Sequence, residues 1–376
     1  MKRILPFALI LGSLGVVYAC SSSDSSNGTS GGTTTPDGGG PGTDGSTDND
    51  GSMMQGDGGP GTDGSVTPKT NPIEGIAAPK QVADALGYAD APQWWQGTLY
   101  VSRPLDGFVE KVDLSNGAVT EVTALTSTPT VSRHFNGASL DKNNNMILAE
   151  NTTGVWRYAP DGGALTPVAS SFFGDGGVIP FDNANDLVQH TPSGVIFVTD
   201  PGYATPTAAT NHLVRIFADG GADSADEFPD APRPNGIALT KDGTTLYVGV
   251  SSPVVGTKPY IKKYTVSATG ALTNPTKFVE LPHATVNPAT PGATNDEPDG
   301  LAVDDNGNVY VAWRLGVNVY KSDGTRYGAA DPSIAIAAPN QPTNVGFGGT
   351  DRKSLFITTS TGKIFQTTVN IPGLLQ

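Results

Sequence analysis

Residues 233–250 read Arg-Pro-Asn-Gly-Ile-Ala-Leu-Thr-Lys-Asp-Gly-Thr-Thr-Leu-Tyr-Val-Gly-Val. A polar phrase, Pro234-Asn235-Gly236, opens onto the apolar run Ile237-Ala238-Leu239. The turn dipeptide Asp242-Gly243 precedes a β-prone run, Leu246-Tyr247-Val248, and a third run, Ile261-Lys262-Lys263-Tyr264, ends at Thr269-Gly270. Short β-branched or aromatic runs bounded by turn dipeptides read as strands. The same unit recurs along the chain. Its second run returns as Leu99-Tyr100-Val101, Met146-Ile147-Leu148, Val195-Ile196-Phe197-Val198, Val309-Tyr310-Val311 and Leu355-Phe356-Ile357. Its third run returns as Phe108-Val109, Val155-Trp156-Arg157-Tyr158, Leu213-Val214-Arg215-Ile216, Val317-Asn318-Val319-Tyr320 and Ile364-Phe365-Gln366. No window sustains a helical period. A sandwich would not repeat one phrase six times, and a solenoid would have shorter, more regular units. Units of roughly 45–65 residues with three or four strands predict an all-β, six-bladed β-propeller over residues 71–376. Residues 82–86 are expected to close the ring by pairing with the last blade around residues 363–369.

The front of the chain is of another kind. Lys2 and Arg3 precede an apolar stretch, residues 4–17, that is too short to span a bilayer and reads as a signal-peptide core. Val17-Tyr18-Ala19-Cys20 then resembles a bacterial lipobox, and Cys20 is the only cysteine of the 376 residues. Residues 1–19 are therefore expected to be a lipoprotein signal peptide, with Cys20 the lipidated residue and the membrane contact made through that lipid alone. Ser21, rather than Asp, follows it, which matches the pattern for passage to the outer membrane of a Gram-negative bacterium. Residues 20–70 are almost wholly Ser, Gly, Thr, Asp and Pro, too poor in apolar side chains to offset ordering entropy, and are expected to be a disordered tether.

The full chain carries 22 basic and 36 acidic residues, a net charge of −14. That argues against a nucleic-acid partner, which requires clustered Lys and Arg. With +2 in residues 1–20 and −7 in 21–68, the remainder carries −9. A lone cysteine excludes an intramolecular disulfide and a thiolate zinc cluster.

The phrases that open the six blades are Asp90-Ala91-Pro92-Gln93-Trp94, Phe135-Asn136-Gly137, Ala184-Asn185-Asp186, Pro234-Asn235-Gly236, Pro298-Asp299-Gly300 and Pro342-Thr343-Asn344. Each precedes a strand expected to line the central channel, so their Asn and Asp residues should converge at one mouth. Turn chemistry alone would account for the Asn-Gly and Asp-Gly pairs. Asn185-Asp186 and Thr343-Asn344 are not such pairs, yet they keep the polar residue in register. A ring of carboxylate and amide oxygens suits one hard divalent cation, calcium first, with zinc or manganese as alternatives.

At these phrases the chain resembles the gluconolactonase/senescence marker protein (regucalcin)/LRE-like family over nearly all of residues 80–370. The strongest stretches are residues 233–239, 298–304 and 342–349, with Asn185-Asp186-Leu187 leading to Phe197-Val198-Thr199-Asp200-Pro201. The resemblance implies a six-bladed propeller with one divalent ion in its channel, hydrolysing a small lactone or ester. It implies metal ligands at Asn235 and Asp299, with Asn185 beside the metal or completing its shell. The first-blade ligand falls on Asp90, where the family has the Glu of an E-G-P-x-W phrase. Asp is one methylene shorter, so its reach falls by about 1 Å unless the backbone moves. Ser102-Arg103, Glu150-Asn151 and Gly249-Val250-Ser251 also depart from the family at positions near the mouth.

These residues imply a reaction in which the ion stabilises the carbonyl oxygen while Asp299 or Asp90 orients or deprotonates water. Asp299 and Asn185 are the candidate catalytic residues, and Asn136, Asn185 and Trp313 the candidate substrate contacts. Trp94 and Trp156 read as packing between blades. His134, two residues before Asn136, is the only one of four histidines near an opening phrase. Within residues 71–376 there is no Gly-x-Ser-x-Gly elbow or dinucleotide fingerprint. The alternatives are a non-catalytic propeller binding a glycan or protein, and a phosphotriesterase- or arylesterase-like calcium propeller. A monomer is expected.

Overall fold

Each occurrence of the repeat folds as an antiparallel sheet. The computed structural model describes residues 70–84, 87–127, 133–159, 163–203, 210–229, 232–252, 254–283 and 297–376. They belong to one compact unit, Val66–Gln376. The signal segment, Cys20 and the tether as far as residue 69 lie outside the described residues.

Six sheets follow one another. Blade 1 comprises Asp90–Trp95, Thr98–Arg103, Phe108–Asp113 and Ala118–Glu121. Blade 2 comprises Phe135–Leu140, Met146–Glu150, Gly154–Tyr158 and Thr166–Ala169. Blade 3 is built on Leu187–His190, Val195–Asp200, Thr210–Ile216 and Ala222–Pro229, and blade 4 on Arg233–Leu239, Thr245–Ser251, Tyr260–Val266 and Leu272–Glu280. Blade 5 holds Leu301–Val303, Val309–Trp313, Gly316–Tyr320 and Ile334–Ala335, and blade 6 holds Pro342–Gly348, Ser354–Thr359 and Ile364–Thr368. The first strands of successive blades contact one another around the ring, so they form the channel wall. The fourth strand of blade 6 comes from the other end of the unit. Lys80–Ala83 pairs antiparallel with Ile364–Thr368 (Lys80 with Gln366, Gln81 with Phe365), which closes the ring. Blade 3 has an addition that the repeat did not foretell. The hairpin Ser171–Gly174/Gly177–Pro180 joins its outer edge through a parallel bridge from Phe173 to Asp223.

The core explains why the second runs are continuously apolar. Alternate residues of a strand face opposite sides of its sheet. Ile196 and Val198 pack into a cluster shared with blade 2, while Val195 and Phe197 pack into one shared with blade 4. Six such clusters fill the six gaps between neighbouring blades. A blade buried on both faces has no polar side to its middle strands. Trp94 serves the same purpose, stacking on Phe356 at 5.9 Å between blades 1 and 6.

Candidate active site

The opening phrases are β-bulges in the innermost strands, not turns. In blade 4, Pro234 pairs with Val250 and Ile237 with Val248, so Asn235 and Gly236 together oppose Gly249. In blade 2, Asn136 and Gly137 oppose Ala149. In blade 1, Ala91 and Pro92 oppose Val101. In blade 3, Asn185 N donates to Thr199 O and Thr199 N to Asp186 O, both at 2.9 Å. In blade 5, Asp299 N donates to Ala312 O and Ala312 N to Gly300 O, both at 3.0 Å. In blade 6, Pro342 pairs with Thr359 and Asn344 with Thr358, leaving Thr343 as the extra residue. A bulge re-aims a side chain out of the regular pleat. The bulges of blades 2 to 5 turn Asn136, Asn185, Asn235 and Asp299 into one cavity.

The second residue of each bulge explains the glycines. A Cβ on Gly236 would lie 2.0 Å from Asp299 O, and one on Gly300 would lie 1.8 Å from Asn344 Oδ1. These glycines, like Gly137, are not in the left-handed region. They are needed so that the bulge of one blade can touch the next. Hydroxyls on the second strands lock the contact. Ser102 Oγ donates to Asn136 O and Thr199 Oγ1 to Asn235 O, each at 2.7 Å.

The first bulge residues are Ala91, Asn136, Asn185, Asn235, Asp299 and Thr343, so the polar series is regular only in blades 2 to 5. In blade 1 the acid stands one residue early, at Asp90. In blade 6 the amide stands one residue late, at Asn344, and lines a narrow inner chamber of about 30 Å³ with Asp186 and Gln93. The expectation that Asn344 keeps the register of the others is corrected by this one-residue slip.

Asp90, Asn136, Asn185, Asn235 and Asp299 line one cavity of about 290 Å³, together with Tyr88, Asn151, Asn183, Tyr203 and Glu297. Trp313 is not among the lining residues. It ends the second strand of blade 5 with its side chain turned into the gap between blades 4 and 5, and is 1 % exposed. The strand alternation that puts Val311 in that cluster puts Trp313 there too, so a stacking role on a ligand in this cavity is corrected to a core role. His134 Nδ1 donates to Pro104 O, 2.7 Å away, and the residue does not line the cavity.

The cavity has two chemically different halves. Asn136, Asn151, Asn183, Asn185 and Asn235 form an amide half, in which Asn136 Nδ2 donates to Asn151 Oδ1. Asp90, Glu297 and Asp299 form an acidic half, and no Lys, Arg or His is among the lining residues. Burial is the largest cause raising the Asp299 carboxyl well above its ordinary value, and the charges of Asp90, Glu297 and Asp186 add to it. Burial likewise raises Asp90, against the Ala91 N–H at 2.7 Å and the Asn344 amide. Asp186 beneath them is pushed up to about 7, by burial and then by Asp90. Glu297 is also raised by burial, with Arg233 opposing at 3.9 Å.

Arg233 offsets Glu297, but among the described residues no Lys or Arg pairs with Asp90 or Asp299. Crowded carboxylates of this kind are costly, and a divalent ion is the usual remedy. The donors fit one. No three His, Cys, Asp or Glu side chains among the described residues group tightly enough to hold a metal alone. A site built here needs amide oxygen beside Asp90 and Asp299, and Asn235 is placed to give it. Oxygen-only donors of this type suit calcium. The backbone after Asp90 is unusual. Ala91 adopts φ 43°, a left-handed conformation that Gly takes freely and Ala does not, and its N–H holds Asp90 Oδ1.

Residues 91–361 match the SMP-30/gluconolactonase/LRE-like region. The chain belongs to this family. It is 28 % identical over 188 residues to a gluconolactonase of Zymomonas mobilis, covering 48 % of this chain and 49 % of that protein. It is 31 % identical over 181 residues to a pentonolactonase of Haloferax volcanii, covering 47 % and 53 %. The chain thus spans about half the length of the curated relatives it matches. Among solved structures, a gluconolactonase of Xanthomonas campestris aligns with TM-score 0.61 at 23 % identity over 77 % of this chain and 88 % of that one. A calcium-binding regucalcin of Agrobacterium tumefaciens aligns with TM-score 0.58 at 19 % identity over 80 % and 96 %. These likenesses carry the fold.

The residues not foreseen from sequence are Tyr88, Asn183, Tyr203 and Glu297. Glu297 stands two residues before Asp299 and Tyr203 just past Asp200-Pro201-Gly202, and proximity to those phrases was the only signal either carried.

Proposed function

We propose that the protein is a divalent-cation-dependent lactone hydrolase, anchored to the cell envelope, in the outer membrane, through lipid on Cys20. The observation that carries the catalytic part is the convergence of Asp90, Asn185, Asn235 and Asp299 on one cavity, where no Lys or Arg among the described residues pairs with Asp90 or Asp299. Asp90, Asn235 and Asp299 would hold the ion, with Asn185 beside it, and calcium suits the donors best. A cation bound there supplies Lewis-acid polarisation of the carbonyl oxygen. Asp299 takes the proton from the attacking water as the water oxygen bonds to the carbonyl carbon. The ring C–O bond breaks and the leaving oxygen takes that proton from Asp299, giving the open hydroxy acid. Asn136 and Asn185 offer amide groups to substrate hydroxyls from the opposite wall. The lactone substrates of the relatives support this reaction class, and the cavity volume suits a single sugar-sized ring.

The test is hydrolysis of glucono-1,5-lactone and related lactones by metal-stripped protein given calcium, zinc or manganese. Turnover is expected to depend on the metal and to vanish in Asp299→Ala. Full activity in that variant, or turnover insensitive to metal, overturns the assignment. Anchoring is tested separately, by palmitate labelling of the whole chain, which Cys20→Ala is expected to abolish.

A further inference from the structure

Behind Asn235 lies a hydrogen-bonded chain that no family phrase contains. Asn235 Nδ2 donates to the Tyr203 hydroxyl at 3.2 Å, and that hydroxyl donates to Glu297 Oε2 at 3.3 Å. Arg233 braces both partners. Its guanidinium lies 5.0 Å from the Tyr203 ring centroid, and its Nη1 is 3.9 Å from Glu297 Oε1. Blades 3, 4 and 5 each contribute, since Tyr203 follows the second strand of blade 3, Arg233 begins blade 4 and Glu297 precedes blade 5.

The chain has a direction. A phenol has one hydrogen, and an ionised carboxylate only accepts. With that hydrogen committed to Glu297, the Tyr203 oxygen can only accept from Asn235. The amide must therefore turn its NH₂ to Tyr203. Oδ1 is then the atom that Asn235 can present to a cation. Without the hydroxyl, rotation of the amide by half a turn would aim NH₂ at the ion and repel it.

We infer that Tyr203 is a positioning residue, which through Glu297 and Arg233 fixes the Asn235 amide with its oxygen towards the bound cation. This rests on the reading of the cavity as a cation site. Outer partners of metal ligands typically change affinity by about 10–100-fold when removed.

Calorimetric titration of metal-stripped protein with calcium tests it. Tyr203→Phe keeps the ring beneath Arg233 and deletes only the hydroxyl, and it is expected to weaken binding about tenfold or more. Glu297→Gln, which no longer dictates the direction of the phenol hydrogen, is expected to do the same. The double variant should be no weaker than the worse single one, because both act through one amide. In an Asn235→Ala background, Tyr203→Phe should have no further effect. Wild-type affinity in Tyr203→Phe alongside weakened binding in Asn235→Ala overturns the positioning role and leaves the cation site standing. An unchanged effect of Tyr203→Phe in the Asn235→Ala background overturns it as well, since the hydroxyl would then act by another route. Absence of calcium, zinc and manganese binding by the wild-type protein overturns the cation site itself, and the inference with it.

Discussion

Two groups of buried carboxylates stand at opposite ends of the channel-lining strands. Asp90 and Asp299 stand where these strands begin, and Asp141 and Asp304 where they end. Asp304 is fully buried, yet it accepts from the Asn306 and Asn308 amides at 3.0 Å, from Asn308 Nδ2 at 2.8 Å and from Tyr310 at 3.2 Å. Asp141 accepts from the Asn143 and Asn145 amides at 2.9 Å and from Arg157 Nε at 2.9 Å. Burial pushes Asp141 up, but Asn145, Asn143 and Arg157 outweigh it and leave its carboxyl below the ordinary value. Asp304 is raised by burial alone, against its donors, whereas few donors face Asp299 at the mouth and three other carboxylates raise it further. Burial is common to both ends. What separates a structural carboxylate from a candidate ligand is the shortage of protein donors, which leaves lone pairs for something else.

The sharpest way to break this comparison is to neutralise one member of each group. Asp299→Asn is expected to weaken calcium binding by about 100-fold or more and to abolish lactone turnover. The same change should raise the melting temperature of the metal-free protein, because it removes a repelled, poorly solvated charge. Asp141→Ala should leave calcium affinity alone and cost about 2 kcal/mol of stability, since charge-assisted hydrogen bonds are lost and their donors stranded. Calorimetry and chelator-containing melts read both. If the two variants shifted stability in the same direction, the distinction drawn from donor counts would fail.

The pH dependence of the metal-free protein sharpens the comparison further. A carboxyl whose proton affinity is raised on folding contributes stability that is present below its unfolded value and is lost as pH rises through the folded one. For Asp186 that window runs from 3.8 to about 7, and Asp90 and Asp299 are raised in the same direction. Asp141 is lowered, so its contribution is present above 3.8 and is lost as pH falls through its folded value. Melting temperature in chelator should therefore decline from weakly acidic to neutral pH, and saturating calcium should remove that decline. A profile unchanged by calcium would separate the raised carboxylates from any cation.

How far the sequence discloses this site follows from the range of each interaction. The blades were legible because their signals are local. Asp242-Gly243, Asn116-Gly117 and Asp323-Gly324 all place their glycine at positive φ, as a tight turn requires. Ring closure on Ile364–Thr368 was legible, but its partner strand was expected at residues 82–86 and lies at Lys80–Ala83, because Lys-Gln-Val-Ala carries little β signal of its own. The opening phrases located Asn185, Asn235 and Asp299 but hid their geometry. Pro234-Asn235-Gly236 looks like a turn, whereas Gly236 is there to let the Asp299 carbonyl approach. The one-residue slips at Asp90 and Asn344 depend on bulge register, which no single phrase encodes. Tyr203 and Glu297 meet across 94 residues, so nothing near either one announces the contact. Trp313 misled because an aromatic at a strand end looks available, while the alternation of its strand turns it inward.

The smallest effect concerns Asp90 itself, which combines features of both groups: it faces the cavity, yet a backbone donor holds it. That donor is the N–H of Ala91, reached only because Ala91 sits at φ 43°. A left-handed non-glycine residue costs roughly 1–2 kcal/mol. Glycine would remove that strain but adds unfolded-state entropy of about 0.4–1 kcal/mol. Ala91→Gly is therefore expected to stabilise the protein by about 0.5 kcal/mol in denaturant titration and to leave calcium affinity within about twofold, since the same N–H still holds Asp90. Should affinity instead rise well beyond that, the strained backbone would be what keeps Asp90 short of the ion, and the blade 1 acid would belong with the ligands only once its backbone is freed. Should stability fall, the left-handed turn would be held by packing around the Ala91 methyl, and Asp90 would belong with the structural carboxylates at the far end of the channel.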